Sequence, residues 1–349
     1  MCVFHKNAGK VLTTVEGYLL ETPETYVPER TVMLIRKNIL LIISLLFVSV
    51  AHSSGQNCTD PKAVPFGTSD QEMDGFFIGA NNCAYNPLIV SSDEVPAVGQ
   101  EYSHMGEPIF MVNGANGTVV NSEVRIKSVS ISKQRPVIGI FNAPADLIGE
   151  INKFVDFKNN AAETIRQETF SRVLVNRTFT VIGLSQAGFI VSHGLVLLKK
   201  DLIETFPYRY RHRKKLLKLV GVETVGAIAL YFPNGPNYVH YVNKRDILPL
   251  VAGMGSNRSH PGRGAVIASF YYYNKDCDFG ILPLDKYPGV NAVLSKDKSP
   301  VFSAKVHSLC SYAATGFDFD SLRNYAPRFG YTEIELDLGR NDESNEEQL

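Results

Sequence analysis

From residue 106 to residue 250 the chain alternates short apolar runs with longer stretches of mixed polarity. The runs are "PIFMV" (108–112), "VIGIF" (137–141), "FTVIGL" (179–184), "LVGVETVGAIALYF" (219–232) and "YVHYV" (238–242). Near-continuous apolarity, rather than strict alternation, marks strands buried on both faces, as in a parallel sheet. The intervening stretches 119–133, about 145–173 and about 187–204 have helical character and length. Short apolar strands alternating with helices predict an α/β protein with a mostly parallel sheet flanked by helices. Residues 54–105, rich in Gly, Pro, Ser, Asn and Asp, predict an irregular lead-in with one short strand in "GFFIGANNCAYN". The main domain is expected over 106–330, and residues 331–349, ending "GRNDESNEEQL", as an acidic solvated tail.

Ahead of the lead-in, "MLIRKNILLIISLLFVSVAHSSGQNC" (33–58) has the three parts of an export signal. Arg36 and Lys37 are its positive end, 39–51 its apolar core, and "AHSS" its small residues, with the cut expected after Ser53. The core is short for a bilayer, since a spanning helix takes about 20 apolar residues. A cleaved signal is therefore expected, with an uncleaved anchor as the alternative. Thirty-two residues precede Met33, which is read as the true start, so that residues 1–53 are an extension plus signal peptide. Removal would discard Cys2 and leave Cys58, Cys83, Cys277 and Cys310, enough for two disulfides with three connectivities open, or for four reduced buried thiols. The N-x-[ST] sequons at Asn57, Asn116, Asn176 and Asn257 occur at about chance frequency.

Charge narrows the partners. Thirty-five basic side chains balance thirty-five acidic ones, at a pI near 7.1, which removes the electrostatic argument for nucleic acid. No C-x-x-C, H-E-x-x-H or P-loop sequence occurs.

The chemistry instead gathers around "GLSQAG" (183–188), where a buried strand gives way to a helix. A sharp turn there needs small residues two before and two or three after the serine, and Gly183, Ala187 and Gly188 supply them. Such a turn holds Ser185 above the sheet edge and aims the first N–H groups of the helix, beginning with Gln186, at a reacting carbonyl. A hydroxyl nucleophile also needs a base and an orienting acid, which follow in the order Ser, Asp or Glu, His. Asp246, in "VHYVNKRDILP", lies just beyond a strand, and His307, in "KVHSLCSYAATG", lies in a late loop. His260, in "NRSHPGRG", is the competing base. His193 reads as a residue of the following helix that packs or faces solvent, His240 as a strand residue, and Asp276 and Asp278 as turn residues. A second oxyanion donor is expected from the main-chain N–H of Asn142 or Ala143 in "GIFNAPAD", because Pro144 has none. The bland reading of the same stretches is packing at one strand–helix junction and an ordinary turn at another.

Ser185 in "GLSQAG", Asp246 in "YVNKRDILP" and His307 in "VHSLCSYAATG" resemble the triad of α/β-hydrolase-fold serine esterases, and class 3 lipases most of all. Those proteins have a buried strand ending in an "HSQGG"-like elbow and an N-x-x-D-x-(V/I)-P turn. The chain is similar, more loosely, to exported α/β-hydrolase-like proteins of intracellular bacteria. The resemblance covers residues 106–316, with sixty-one residues in each of the two intervals between triad members. It departs at Leu184, where histidine is usual, at Ala187, where glycine is usual, and in lacking an obvious apolar lid. The resemblance implies hydrolysis of carboxylic esters, lipids among them, through an acyl-enzyme and without metal or organic cofactor. The competing reading is an interaction protein or effector that keeps the fold without turnover.

"RYRHRKKLLK" (209–218) carries six Arg or Lys residues in ten positions. A solvated helical face is the ordinary reading of such a run, and a membrane-surface patch the sharper one.

Overall fold

In the computed structural model, residues 58–64, 69–115, 117–143, 159–271, 312 and 319–336 are described. The export segment, the sequons at Asn57 and Asn116, Cys277, Cys310, Asp276, Asp278 and His307 lie outside them.

Among the described residues, nine strands form one sheet. In chain order they are β1 (Phe77–Ile78), β2 (Ala84–Tyr85), β3 (Ile109–Val112), β4 (Val137–Ile140), β5 (Phe179–Leu184), β6 (Val220–Val225), β7 (Asn237–Asn243), β8 (Ala265–Phe270) and β9 (Tyr331–Glu335). Their order across the sheet is β2-β1-β4-β3-β5-β6-β7-β8-β9. All neighbours from β4 to β9 pair in parallel, and β1 runs antiparallel to both β2 and β4. Parallel neighbours require crossovers, supplied by α1 (Val119–Lys133), α2 (Asn160–Leu174), α3 (Ala187–Thr205) and α4 (Tyr210–Leu217). Two shorter helices, α5 (Ile247–Ala252) and α6 (Phe319–Arg323), follow.

Apolar side chains point both ways from the sheet because successive strand residues alternate faces. On one side Phe110, Phe179, Val181 and Val222 pack under α2 and α3; on the other Met111, Ile182, Val225 and Tyr241 pack under α1 and α6. β6 and β8 are buried at every position. A buried ion pair between Lys133 Nζ and Glu223 Oε2, 2.7 Å, ties the end of α1 to the middle of β6. Burial holds the Glu223 carboxyl above its ordinary range, against the pull of Lys133.

Four expectations need correction. The lead-in supplies two short strands of the sheet rather than one, the hairpin β1–β2, of which β1 pairs with β4. The apolar run 219–232 is a strand only to Val225; beyond Gly226 the chain turns back along α3, with Ser192 Oγ donating to the carbonyl of Tyr231 at 2.5 Å. β8 was not anticipated. Residues 331–335, read as the start of a solvated tail, form the edge strand β9. One of the conceivable disulfides is present, Cys58–Cys83, fastening the first described residues to the entry of β2. Closing a loop of 25 residues contributes about 3.5 kcal/mol in the chain-entropy account.

Candidate active site at the carboxyl edge of the sheet

The chain passes from β3 to β4 on one side and then crosses to β5 on the other, so β3 and β5 meet where the winding reverses. Crevices at the carboxyl ends of strands, at such reversals, are where open α/β sheets take their ligands. Ser185 follows the last residue of β5 and stands at this point.

Its backbone is unusual. Ser185 has φ of 56°, in the left-handed region that costs an L-residue about 1–2 kcal/mol. Three main-chain hydrogen bonds hold it there: Ser185 N–H to the carbonyl of Val225 (2.9 Å), and the N–H groups of Gly188 and Ile228 to the carbonyl of Ser185 (both 3.0 Å). The bend thus belongs as much to the exit of β6 as to its own strand. Two glycines permit the approach. A Cβ on Gly188 would lie 2.5 Å from Cβ of Ala227, and one on Gly114 would lie 3.1 Å from Cβ of Ser185. Ser185 is 7% exposed. Gln186 begins α3 with helical backbone angles, so the positive end of a nineteen-residue helix faces the crevice.

Buried amides link the neighbouring strand ends. Asn113 Nδ2 donates to the carbonyl of Asn142 (2.7 Å), Asn113 Oδ1 accepts from Asn142 N–H (2.8 Å), and Asn142 Nδ2 donates to Oε1 of Gln186 (3.0 Å). The side chain of Asn113 therefore continues the ladder between β3 and β4 past their last residues. Both N–H groups anticipated for the second oxyanion donor are engaged: that of Asn142 by Asn113, and that of Ala143 by Asp74 Oδ1 at 2.9 Å. The loop after β3 has the opposite character. It brings Gly114 against Ser185, and among the described residues no hydrogen bond occupies the N–H of Gly114 or of Ala115. The sequence "VNGANGT" signals only a turn; its place beside Ser185 comes from strand order.

Two strands away, Asp246 lies three residues past β7 and caps α5, with Oδ1 accepting from Leu248 N–H at 3.1 Å. The Tyr312 hydroxyl donates to Asp246 Oδ2 at 2.9 Å and accepts from Asn243 N–H at 3.3 Å. Asp246 is 1% exposed and Tyr312 wholly buried, with burial pushing the phenol well above its usual range. Tyr312, five residues after His307, was not singled out from sequence.

The other histidines lie elsewhere. His260 is exposed, and its main chain bonds to Leu230 and Phe232, in the stretch that Ser192 of α3 holds through the carbonyl of Tyr231. His193 is buried on α3 facing α2, where burial lowers its pKa and the charge of Glu163 opposes that. His240 is fully buried in β7 between the Thr224 hydroxyl (2.8 Å) and the carbonyl of Pro261 (3.0 Å), and burial pulls its pKa down to about 4.

Set beside known protein families, curated proteins and solved structures, the chain matches none of them.

Proposed function

We propose that this chain is a serine hydrolase acting on carboxylic esters, lipids among the candidates, from an α/β-hydrolase-type scaffold. The observation that carries the reading is the left-handed backbone at Ser185, a strained non-glycine residue at the winding reversal of a parallel sheet. Strain of that kind persists where the surroundings impose it, and here β6, α3 and the Gly114 loop do so together.

In this reading His307 removes the proton of Ser185 Oγ as the oxygen attacks the ester carbonyl carbon. The oxyanion is met by the N–H of Gln186, at the start of α3, and by the Gly114–Ala115 loop in place of Asn142 and Ala143. His307 returns the proton to the leaving alcohol, and water then releases the acid from the acyl-enzyme by the same route. Asp246 fixes the imidazole tautomer. β5 and β7 are two strand spacings apart, about 10 Å, a gap that one imidazole and the arms of Ser185 and Asp246 would bridge. Tyr312 and Leu248 N–H hold both oxygens of Asp246, so the carboxylate is already oriented.

A fluorophosphonate probe tests this directly. Covalent labelling of the wild-type protein that disappears in Ser185→Ala and in His307→Ala is expected. A well-folded wild type that takes no label overturns the reading and leaves an interaction protein on the same scaffold.

A further inference from the structure

The chain carries no net charge, yet residues 209–218 hold six cations and no acid. In α4 and its C-cap, Arg211, Lys214, Lys215 and Lys218 recur at i, i+3, i+4 and i+7, which puts them on one helical stripe. Leu216 and Leu217, on the opposite side, are buried and anchor the helix. Ordinary solvated helices mix both signs, and i, i+4 pairs offset each other. Here, among the described residues, Arg209, Arg211, Lys214 and Lys215 have no carboxylate partner. Lys218 donates only to the Asn237 side chain. Burial, then the charges of Arg323 and Lys214, keep its ammonium below the usual lysine range, so the positive field extends across to α6.

Aromatic rings flank the cations. Tyr208 is 99% exposed and Tyr210 51%, beside an open depression lined by Thr205 to Arg209. The connection is rigid, because Arg213 turns inward and donates to the carbonyls of Phe206 and Pro207. Exposed tyrosines next to an all-cationic stripe fit the water–lipid boundary, where a ring sits at headgroup depth and each Lys or Arg meets phosphate.

Position adds a second point. β5 runs toward the carboxyl edge, and parallel β6 restarts at the amino edge two residues after Lys218. The nineteen residues of α3 therefore separate Ser185 from this patch by about 28 Å. We propose that the outward face of α4 docks the protein on an anionic lipid bilayer and holds the Ser185 edge turned away from that membrane. The surface stands independently of the hydrolase reading. Combined with that reading, it means that the ester reaches Ser185 from the aqueous side and is not drawn from the bilayer beneath.

The chain contains no tryptophan, so single tryptophans report position. Full-length protein carrying Tyr208→Trp is titrated with phosphatidylcholine vesicles, with or without about 30 mol% phosphatidylserine. A blue shift is expected only with the anionic vesicles, and its loss at about 0.5 M salt. Neutralising Arg211, Lys214 and Lys215 together to Gln should weaken binding about 100-fold, near five-fold for each cation, without moving the thermal midpoint. Tyr271→Trp, at the carboxyl end of β8, should not shift. Equal shifts on neutral vesicles, undiminished binding of the triple variant, a shift at position 271, or binding to heparin or DNA with none to vesicles would each overturn the proposal. Fluorophosphonate labelling is measured separately without lipid, and its absence counts against the hydrolase reading alone.

Discussion

Two regions of this protein bury polar side chains by opposite means. Where the lead-in is clamped onto α2, full charges meet. Arg172, 3% exposed, donates to Ser92 (2.9 Å), Asp93 (3.0 Å), Glu107 (3.1 Å) and Glu168, while Arg177 grips Asp93 and Glu107 at 2.6 Å each. Arg177 holds both of those carboxyls below their ordinary range. At the carboxyl edge the linkers are neutral amides, Asn113, Asn142 and Gln186, around a hydroxyl on strained backbone. In the clamp the contacts favour the folded state. At the edge part of the geometry opposes it, in the left-handed backbone of Ser185.

If that contrast holds, the largest effect on chemistry comes from the edge and costs less stability than a break in the clamp. Asp246→Asn keeps the shape of the side chain but misorients the histidine it serves, so the fluorophosphonate labelling rate should fall about 10⁴-fold. The cost in urea should stay within about 1–3 kcal/mol, because Asn still accepts from Leu248 N–H while the buried Tyr312 hydroxyl loses its carboxylate acceptor. A large stability loss with a normal labelling rate would move Asp246 into the structural class.

The clamp should behave in reverse. Arg172→Ala leaves Glu168 with the Ser92 hydroxyl as a neutral donor and Asp93 and Glu107 with Arg177, while also removing the guanidinium that lies 5.0 Å from the Phe110 ring. Breaking a buried pair from one side costs about 3–5 kcal/mol. Urea unfolding measures the loss, and labelling per folded molecule should be unchanged.

The elements legible from sequence are those fixed by local signals. β5, its glycines and the helix after Ser185 follow from a buried run meeting small residues, and Asp246 from its place after the next strand but one. What escaped depends on strand order or on distant partners. Gly114 lies seventy-one residues before Ser185 and meets it only because β3 and β5 are neighbours. The N–H of Ala143 is claimed by Asp74, sixty-nine residues away, which no turn signal reveals. β9 escaped for a different reason: "YTEIE" is exposed or half-buried throughout, since an edge strand lacks the continuous apolarity that marked the central ones.

A smaller effect tests whether the interior beneath the edge accepts charge as the clamp does. His240, three residues before the end of β7, has a folded pKa of about 4 against 6.5 for the free group. The unfolded chain therefore binds the proton more readily. Stability from this site is whole above about pH 6.5, falls as the pH drops through that range, and is lost in full below about 4, for a total near 3 kcal/mol. The urea midpoint should fall less between neutral and acid pH for His240→Asn than for wild type. Equal slopes would mean that the ring is not held neutral.

The smallest effect addresses the strain itself. Ser185→Ala and Ser185→Gly both remove the hydroxyl, so neither should label, but they differ in what the backbone at φ 56° demands. Alanine retains the left-handed penalty of about 1–2 kcal/mol. Glycine escapes it but adds freedom to the unfolded chain, which offsets about 0.4–1 kcal/mol. Ser185→Gly should therefore be the more stable variant by up to about 1.6 kcal/mol, read from paired urea curves of equal slope. Were alanine as stable as glycine, the elbow would carry no strain, and the contrast between a relaxed clamp and a tense carboxyl edge would lose its physical basis even if every labelling experiment succeeded.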